Sequence, residues 1–179
     1  LSRMVDTNDE WITTRTGIKE RRLLKEAGKG ASFLGIKAVE DLLSKTGTNP
    51  TDIDLVIFSS VTPDMPVAIS GAYLATQIGA TNAFAIDLQA ACSSFLYGMS
   101  VAARYIESGR YKKVLLVGAD KMSSIIDYTD RATCIIFGDG AGAVLFEPNY
   151  EGLGVQDEYL RSDGTGREFL KIEAGGSIL

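Results

Sequence analysis

A cysteine at the junction of a predicted strand and a predicted helix is the residue best placed for chemistry. The segment reads Asp87-Leu88-Gln89-Ala90-Ala91-Cys92-Ser93-Ser94-Phe95. A helix that begins beside Cys92 would direct unsatisfied N–H groups and its positive dipole end at the sulfur, which favours the thiolate. Small neighbours allow a sharp turn and leave space for an acyl group. The spacing predicts a nucleophile, but a buried packing cysteine fits it equally well.

A glycine-rich run, Gly138-Asp139-Gly140-Ala141-Gly142-Ala143, matches the loose form of a dinucleotide-binding fingerprint. The residues that follow, 144–148, have the pattern of a strand, so no helix N-terminus is available to hold a pyrophosphate. We therefore reject nicotinamide binding. We interpret the run as a tight turn in which backbone segments crowd together.

Trp11 and Arg15 are four residues apart on one face of a short predicted helix, for which Asp6 or Thr7 is the candidate N-cap. A single tryptophan is more often a core anchor, and an arginine in this position is more often solvated. The segment from Asp127 to Arg131 has the composition of a charged surface loop. Taken separately, neither segment predicts a binding site.

The elements that must position these residues alternate along the chain and predict an α/β fold. Longer helices are predicted at Ser32–Lys45, Ala72–Ile78 and Ser94–Glu107. Short apolar strands are predicted at Leu55–Phe58, Ala83–Ile86 and Val114–Val117, followed by an antiparallel hairpin of Cys134–Phe137 with Ala143–Phe146. Apolar strands separated by helices indicate a mixed, mostly parallel sheet covered by helices on both faces.

Composition excludes several function classes. The 179 residues are 45% hydrophobic and 23% charged, which is typical of a globular domain. A net charge of -5 argues against nucleic acid as a partner. No apolar run is long enough for a membrane span, and no export signal is recognisable. With only two cysteines, a reducing cytoplasm is expected. The chain has no histidine, and no metal site is predicted.

The motifs occur together in a fixed order that resembles one enzyme family. That order is Asp6–Ile12, Arg15–Ile18, Ala90–Cys92, Asp130–Arg131 and Ile135–Ala143. The set is similar to β-ketoacyl-acyl-carrier-protein synthase III, the condensing enzyme that starts type II fatty acid synthesis. The resemblance implies a thiolase-like fold built from two similar halves, with Cys92 at the buried start of a central helix.

The resemblance also implies an activity and a set of site residues. The family transfers an acyl group from acyl-coenzyme A (acyl-CoA) to this cysteine. It then condenses the acyl group with malonyl-acyl carrier protein and releases carbon dioxide. Trp11 and Arg131 match the residues that sandwich the adenine of coenzyme A, and Thr7 and Arg15 match positions in the same nucleotide pocket. A cytoplasmic homodimer without a permanently bound cofactor is implied.

The departures from the family pattern indicate an N-terminal thiolase-like domain over residues 1–179, incomplete at both ends, with the C-terminal half absent. The family's first strand and its catalytic histidine and asparagine have no match, and the chain's four asparagines lie in other contexts. The segment Pro63–Ala68 lacks the phenylalanine that shapes the acyl pocket in many relatives, so the primer is undetermined. Three alternatives stay open: a related synthase of secondary metabolism, a hydroxymethylglutaryl-CoA synthase relative, and a non-catalytic thiolase-fold subunit.

Overall fold

Four strands form one mixed sheet in the computed structural model, which describes residues 1–178. Leu179, the last residue of the predicted domain, lies outside the described residues. The strands are β1 (Leu55–Ser59), β2 (Phe84–Leu88), β3 (Val114–Lys121) and β4 (Asp139–Phe146). Their order is β2-β1-β3-β4, with β1 parallel to both neighbours and β4 antiparallel to β3. The predicted mixed, mostly parallel sheet is confirmed.

Five helices surround the sheet or lead into it within the described residues. They are α1 (Asp9–Thr16), α2 (Ala31–Thr46), α3 (Ser70–Ile78), α4 (Ser94–Glu107) and α5 (Arg131–Cys134). Three short 3₁₀ turns lie at Pro50–Asp52, Met122–Ser124 and Gly164–Phe169. The predicted limits of α4 are correct, and α2 and α3 each begin slightly earlier than predicted. Gly47 ends α2 in the left-handed conformation, where its N–H bonds the carbonyl of Leu43.

Strand β1 is the centre of the core, because all five of its residues are buried. Val56 and Phe58 face α2 and α3, whereas Leu55 and Ile57 face α4. Alternate side chains of a strand point to opposite faces, so a strand covered on both sides must be apolar at every position. This requirement explains the uninterrupted apolar run in the sequence.

The close approach of α4 to the sheet depends on two glycines. A Cβ on Gly98 would lie 2.5 Å from Cδ1 of Leu116, and a Cβ on Gly118 would lie 2.9 Å from Cδ2 of Phe95. One glycine lies on α4 and the other on β3, so neither the helix nor the strand has a side chain at these points of contact. The first turn of α4 is thereby held against the sheet, directly after the segment that carries Cys92.

The first helix begins later than predicted and uses a different cap. Its N-cap is Asn8, whose side chain accepts a hydrogen bond from the N–H of Trp11 at 2.8 Å. Neither Asp6 nor Thr7 fills that role, so both candidate caps were wrong. Asn8 lies three residues before Trp11, the spacing at which an Asx side chain reaches the third helical N–H. The shift leaves Asp6 and Thr7 free for other contacts.

The predicted hairpin does not form. Cys134 ends the one-turn helix α5, and the glycine-rich run belongs to β4, which pairs with β3 in register from Lys121↔Asp139 to Val114↔Phe146. The predicted backbone crowding is present only at Gly138, where a Cβ would lie 3.3 Å from the carbonyl oxygen of Arg22. Nothing lies within 4 Å of a Cβ built on Gly140 or Gly142. The carboxylate of Asp139, the first residue of β4, accepts hydrogen bonds from Leu24 and Ser123. These bonds hold the beginning of the strand in place.

The described residues contain neither a helix suited to a membrane span nor a cluster suited to a metal ion. None of the helices within residues 1–178 combines the length and the apolarity that a bilayer crossing requires. In that same part of the chain, His, Cys, Asp and Glu side chains do not gather in groups of three or more around a possible metal position.

Candidate active site

Cys92 lies between the end of β2 at Leu88 and the start of α4 at Ser94. The helix begins two residues after Cys92, at Ser94, as the sequence predicted. The side chain of Cys92 is exposed within residues 1–178. The buried position that the family resemblance implied belongs to a fold of two halves.

The backbone before Cys92 makes a strained, sharp turn. Ala91 has a φ of 49°, in the left-handed region that a residue with a Cβ adopts at a cost of about 1–2 kcal/mol. The N–H groups of Ser93 and Ser94 bond the carbonyls of Ala90 and Ala91, both at 3.1 Å. A tight, strained turn between a strand and a helix is the arrangement that presents a nucleophile at a helix N-terminus.

Sequence reasoning missed one residue of this turn, Ser94, which it treated only as a small neighbour. Its hydroxyl accepts a hydrogen bond from the N–H of Ala90 at 2.6 Å and donates one to the carbonyl of Ala91 at 2.7 Å. The available signal was its place in the first helical turn, where serine side chains commonly bond nearby backbone groups. That signal does not reveal which groups are bonded.

A second cluster forms around Trp11, which is partly buried. The guanidinium carbon of Arg15 lies 4.4 Å from the centre of its ring, and that of Arg131 lies 4.6 Å from it. Arg15 reaches the ring from one helical turn along α1, whereas Arg131 comes from the start of α5. The structure therefore brings together three of the four residues predicted for nucleotide binding.

Arg131 is held by contacts on both of its sides. Its Nη1 donates to the carbonyl of Asp6 at 3.1 Å and lies 3.7 Å from the Asp6 carboxylate. The preceding residue, Asp130, caps α5 by accepting from the N–H of Ala132 at 2.9 Å. Hydrogen bonds from the Thr133 hydroxyl and from Ala132 lower the pKa of Asp130 below its ordinary value. The cap therefore stays ionised at neutral pH.

Thr7, the fourth predicted residue, lies at a neighbouring pocket of about 380 Å³ that Tyr128 and Cys134 also line. Within residues 1–178, the hydroxyls of Thr7 and Tyr128 are buried without a hydrogen-bond partner. Burial, and then the charges of Asp139 and Cys134, raise the pKa of Tyr128. Tyr128 therefore stays protonated at neutral pH and can donate a hydrogen bond.

Comparison with known proteins gives one consistent result. Residues 86–164 match the family model of 3-oxoacyl-[acyl-carrier-protein] synthase III. The chain is 58% identical over 178 residues to β-ketoacyl-[acyl-carrier-protein] synthase III 2 of Bacteroides thetaiotaomicron, covering 99% of this chain and 53% of that protein. The chain is therefore homologous to β-ketoacyl-acyl-carrier-protein synthase III.

Solved structures agree with this family. The synthase III crystal structure from Thermus thermophilus superimposes with a TM-score of 0.89 at 41% identity, over 98% of this chain and 54% of that one. The priming β-ketosynthase of the R1128 polyketide pathway gives a TM-score of 0.78 at 38% identity, over 82% and 44% of the two chains. The predicted thiolase-like fold is confirmed. The chain spans about half the length of the synthase III relatives that it matches.

The two cysteines differ enough in exposure for their reactivities to be separated. Cys92 is exposed, whereas Cys134 is only 1% exposed and packs beside Ile12 and Ile135. In the native protein we expect iodoacetamide to label Cys92 at least about tenfold faster than Cys134, because the buried Cys134 reacts only when local unfolding exposes it. Peptide mapping by mass spectrometry measures both rates. In denaturant the two should react alike, and preferential native labelling of Cys134 would contradict the assignment.

Proposed function

We propose that this chain carries the nucleophile of a condensing enzyme that starts type II fatty acid synthesis. The observation behind this proposal is the exposed Cys92, set at a strained turn before α4 in a chain 58% identical to a synthase III. An exposed thiol beside a helix N-terminus suits attack on a thioester.

The proposed reaction has two steps that share Cys92. In the first, the sulfur attacks the carbonyl of acyl-CoA, a new thioester forms on Cys92, and coenzyme A leaves as its thiol. In the second, malonyl-acyl carrier protein loses carbon dioxide and the resulting carbanion attacks the enzyme-bound thioester. The carbon–carbon bond forms, the Cys92 thiol is released, and β-ketoacyl-acyl carrier protein is the product.

We propose that the chain is the N-terminal half of this enzyme. The 53% coverage of its curated relative supports this division. Decarboxylation needs donors that stabilise the charge developing on the thioester carbonyl. The family resemblance assigns that role to a histidine and an asparagine, and these 179 residues contain no histidine. The second step therefore depends on groups outside this sequence.

We propose that the Trp11 cluster, which includes Arg15, receives the adenine of coenzyme A, and that Thr7 contributes from the neighbouring pocket. An aromatic face and guanidinium planes suit a purine ring, and the cations suit phosphates. A ring inserted between Trp11 and Arg131 needs two stacking contacts of about 3.5–4.0 Å each. The observed 4.6 Å leaves no room for it, so Arg131 must swing away from the ring to admit the nucleotide.

A homodimer through β2 is part of the proposal. Strand β2 is at the edge of the sheet, and Phe84 at its start is 40% exposed. Apolar side chains preceding α3 are also exposed, at Met65, Val67 and Ile69. An exposed edge strand offers unpaired backbone groups to a second copy of the same strand. The fold resemblance supports this mode of pairing.

A related synthase of secondary metabolism is the second candidate. The 38% identity to a priming β-ketosynthase of a polyketide pathway favours it. The Trp11 to Ile18 motif favours the fatty acid enzyme. A hydroxymethylglutaryl-CoA synthase relative keeps the same fold with another acceptor, and a non-catalytic subunit is disfavoured by the exposed Cys92. Rates with malonyl-acyl carrier protein and with alternative acceptors distinguish the enzymes.

The setting proposed for this enzyme is the cytoplasm, with acyl-CoA and malonyl-acyl carrier protein as partners. A net charge of -5 disfavours nucleic acid, and a membrane partner is not proposed. We propose that the enzyme holds no permanently bound cofactor, because the two thioesters supply the reactive groups. Acyl-CoA then acts as a substrate, because its acyl group passes to Cys92 and free coenzyme A leaves in every turnover.

Residues 1–179 expressed by themselves should not catalyse condensation, whereas the full-length protein should. Carbon dioxide release from malonyl-acyl carrier protein measures this difference, and full-length Cys92→Ala is the control for loss of acyl loading. The fragment can still acylate itself slowly through Cys92. A fragment that released carbon dioxide at the full-length rate would show that the missing groups are assigned wrongly.

Trp11→Ala in the full-length protein should weaken acyl-CoA binding by about 1–3 kcal/mol, the value of one aromatic stacking partner. Isothermal titration measures the dissociation constant. Tyr159→Ala is a matched control, since Tyr159 is an exposed ring with the guanidinium carbon of Arg161 5.1 Å from its centre. If the dissociation constant stays unchanged in folded Trp11→Ala, Trp11 is only a packing residue.

The full-length protein should sediment as a homodimer, because pairing of two β2 edges satisfies backbone groups that otherwise face solvent. Sedimentation velocity over a range of concentrations measures the mass. A monodisperse monomer at every concentration would count against pairing through β2.

A further inference from the structure

The hydroxyl of Ser94 bonds both residues that precede Cys92. It accepts from the N–H of Ala90 at 2.6 Å and donates to the carbonyl of Ala91 at 2.7 Å. Ser94 is buried, with 4% exposure, whereas Ala91, Cys92 and Ser93 are exposed. The exposed nucleophile turn is therefore attached to the interior through one buried side chain.

These two bonds enclose the strained residue. Ala91 has a φ of 49°, a conformation that alanine does not keep without support from its surroundings. The N–H of residue 90 and the carbonyl of residue 91 lie on either side of that torsion. Because one hydroxyl bonds both groups, rotation of Ala91 toward an ordinary conformation would break at least one bond.

The two hydrogen bonds of the Ser94 hydroxyl, to Ala90 and Ala91, form a clamp on the turn. Ser94 is in turn bonded to the sheet. The hydroxyl of Ser59, at the end of β1, donates to the carbonyl of Ser94 at 3.2 Å. One turn later, the close contact of Gly98 with Leu116 holds α4 against the strands. These contacts fix the position of the turn relative to β1 and β3, the most buried strands of the sheet.

We propose that Ser94 is a positioning residue for Cys92, holding the left-handed turn that presents the thiol at the N-terminus of α4. This inference rests on the proposed role of Cys92 as the acylated nucleophile. Ser94 does not contact the substrate in this role. It acts through Ala90 and Ala91, so its loss should affect the chemistry at Cys92 and leave coenzyme A binding at Trp11 unaffected.

The test measures two rates in the full-length protein: alkylation of Cys92 by iodoacetamide, and its acylation by acyl-CoA. Ser94→Ala should lower both by about tenfold, equivalent to about 1.4 kcal/mol, with the KM for acyl-CoA unchanged. Ser94→Thr keeps the hydroxyl and should recover most of the rate. Ser32→Ala is the matched control, because Ser32 is also buried in a first helical turn and bonds Asp64, away from Cys92.

A second substitution separates positioning from general stability. Ala91→Gly, added to Ser94→Ala, should restore the alkylation rate, because glycine adopts a positive φ without strain. A stability defect elsewhere in the core would not be repaired this way. If Ser94→Ala does not fold, the alkylation and acylation rates of Ser94→Thr and Ser94→Val are compared instead. The Thr and Val side chains have the same shape, and only threonine carries the hydroxyl.

The outcomes separate this inference from the proposed function. Wild-type rates in folded Ser94→Ala, equal rates in the Thr and Val variants, or no recovery with Ala91→Gly would each overturn the positioning role. If the wild-type protein is not acylated by acyl-CoA but Ser94→Ala still slows alkylation, the positioning role stands and the proposed function fails.

Discussion

The close contact between α4 and the sheet fixes the position of the turn that carries Cys92. Gly98 and Gly118 let helix and strand approach until a Cβ at either position would lie within 3 Å of a neighbouring side chain. The helix therefore cannot shift without opening the buried layer around Leu116. Cys92, which lies two residues before the start of α4, is held in place by the same contact, while its side chain is exposed within residues 1–178.

Most of the sheet could be predicted because its signals are local. Strand β1 is apolar at every position, since helices cover both faces, and α4 shows helical spacing up to Glu107. The error at Cys134–Phe137 has a long-range cause. The Asp139 carboxylate accepts hydrogen bonds from Leu24 and Ser123, and these bonds hold the first residue of β4 beside β3. No local sequence pattern encodes such partners. An apolar run of four residues fits a strand or a helical turn equally well.

The residues of the candidate site also divide into those that local sequence patterns predict and those that they do not. Cys92 and the pairing of Trp11 with Arg15 follow from spacing within one short segment. The approach of Arg131 to Trp11 was implied only by the family resemblance, because the two residues are far apart in the sequence. Ser94 was missed because hydrogen-bond partners within a turn depend on torsion angles, and a left-handed alanine is not visible in a sequence.

The two clusters differ in how firmly they are held, and this difference suits the proposed two-step acyl transfer. The turn at Cys92 is fixed through the buried hydroxyl of Ser94 and the close packing of Gly98. The Trp11 cluster is held by exposed contacts, and an exposed cation–π contact contributes about 0.5–1 kcal/mol. In the proposed binding of coenzyme A, Arg131 gives up this contact, and its exposed contacts with Asp6 add little to the cost. In the proposed reaction, substrates that come and go need an adaptable entrance, whereas the sulfur of Cys92 must keep one position through both steps. The backbone strain lies at Ala91, beside the sulfur, whereas the proposed nucleotide pocket is formed by a partly buried tryptophan and two exposed arginines.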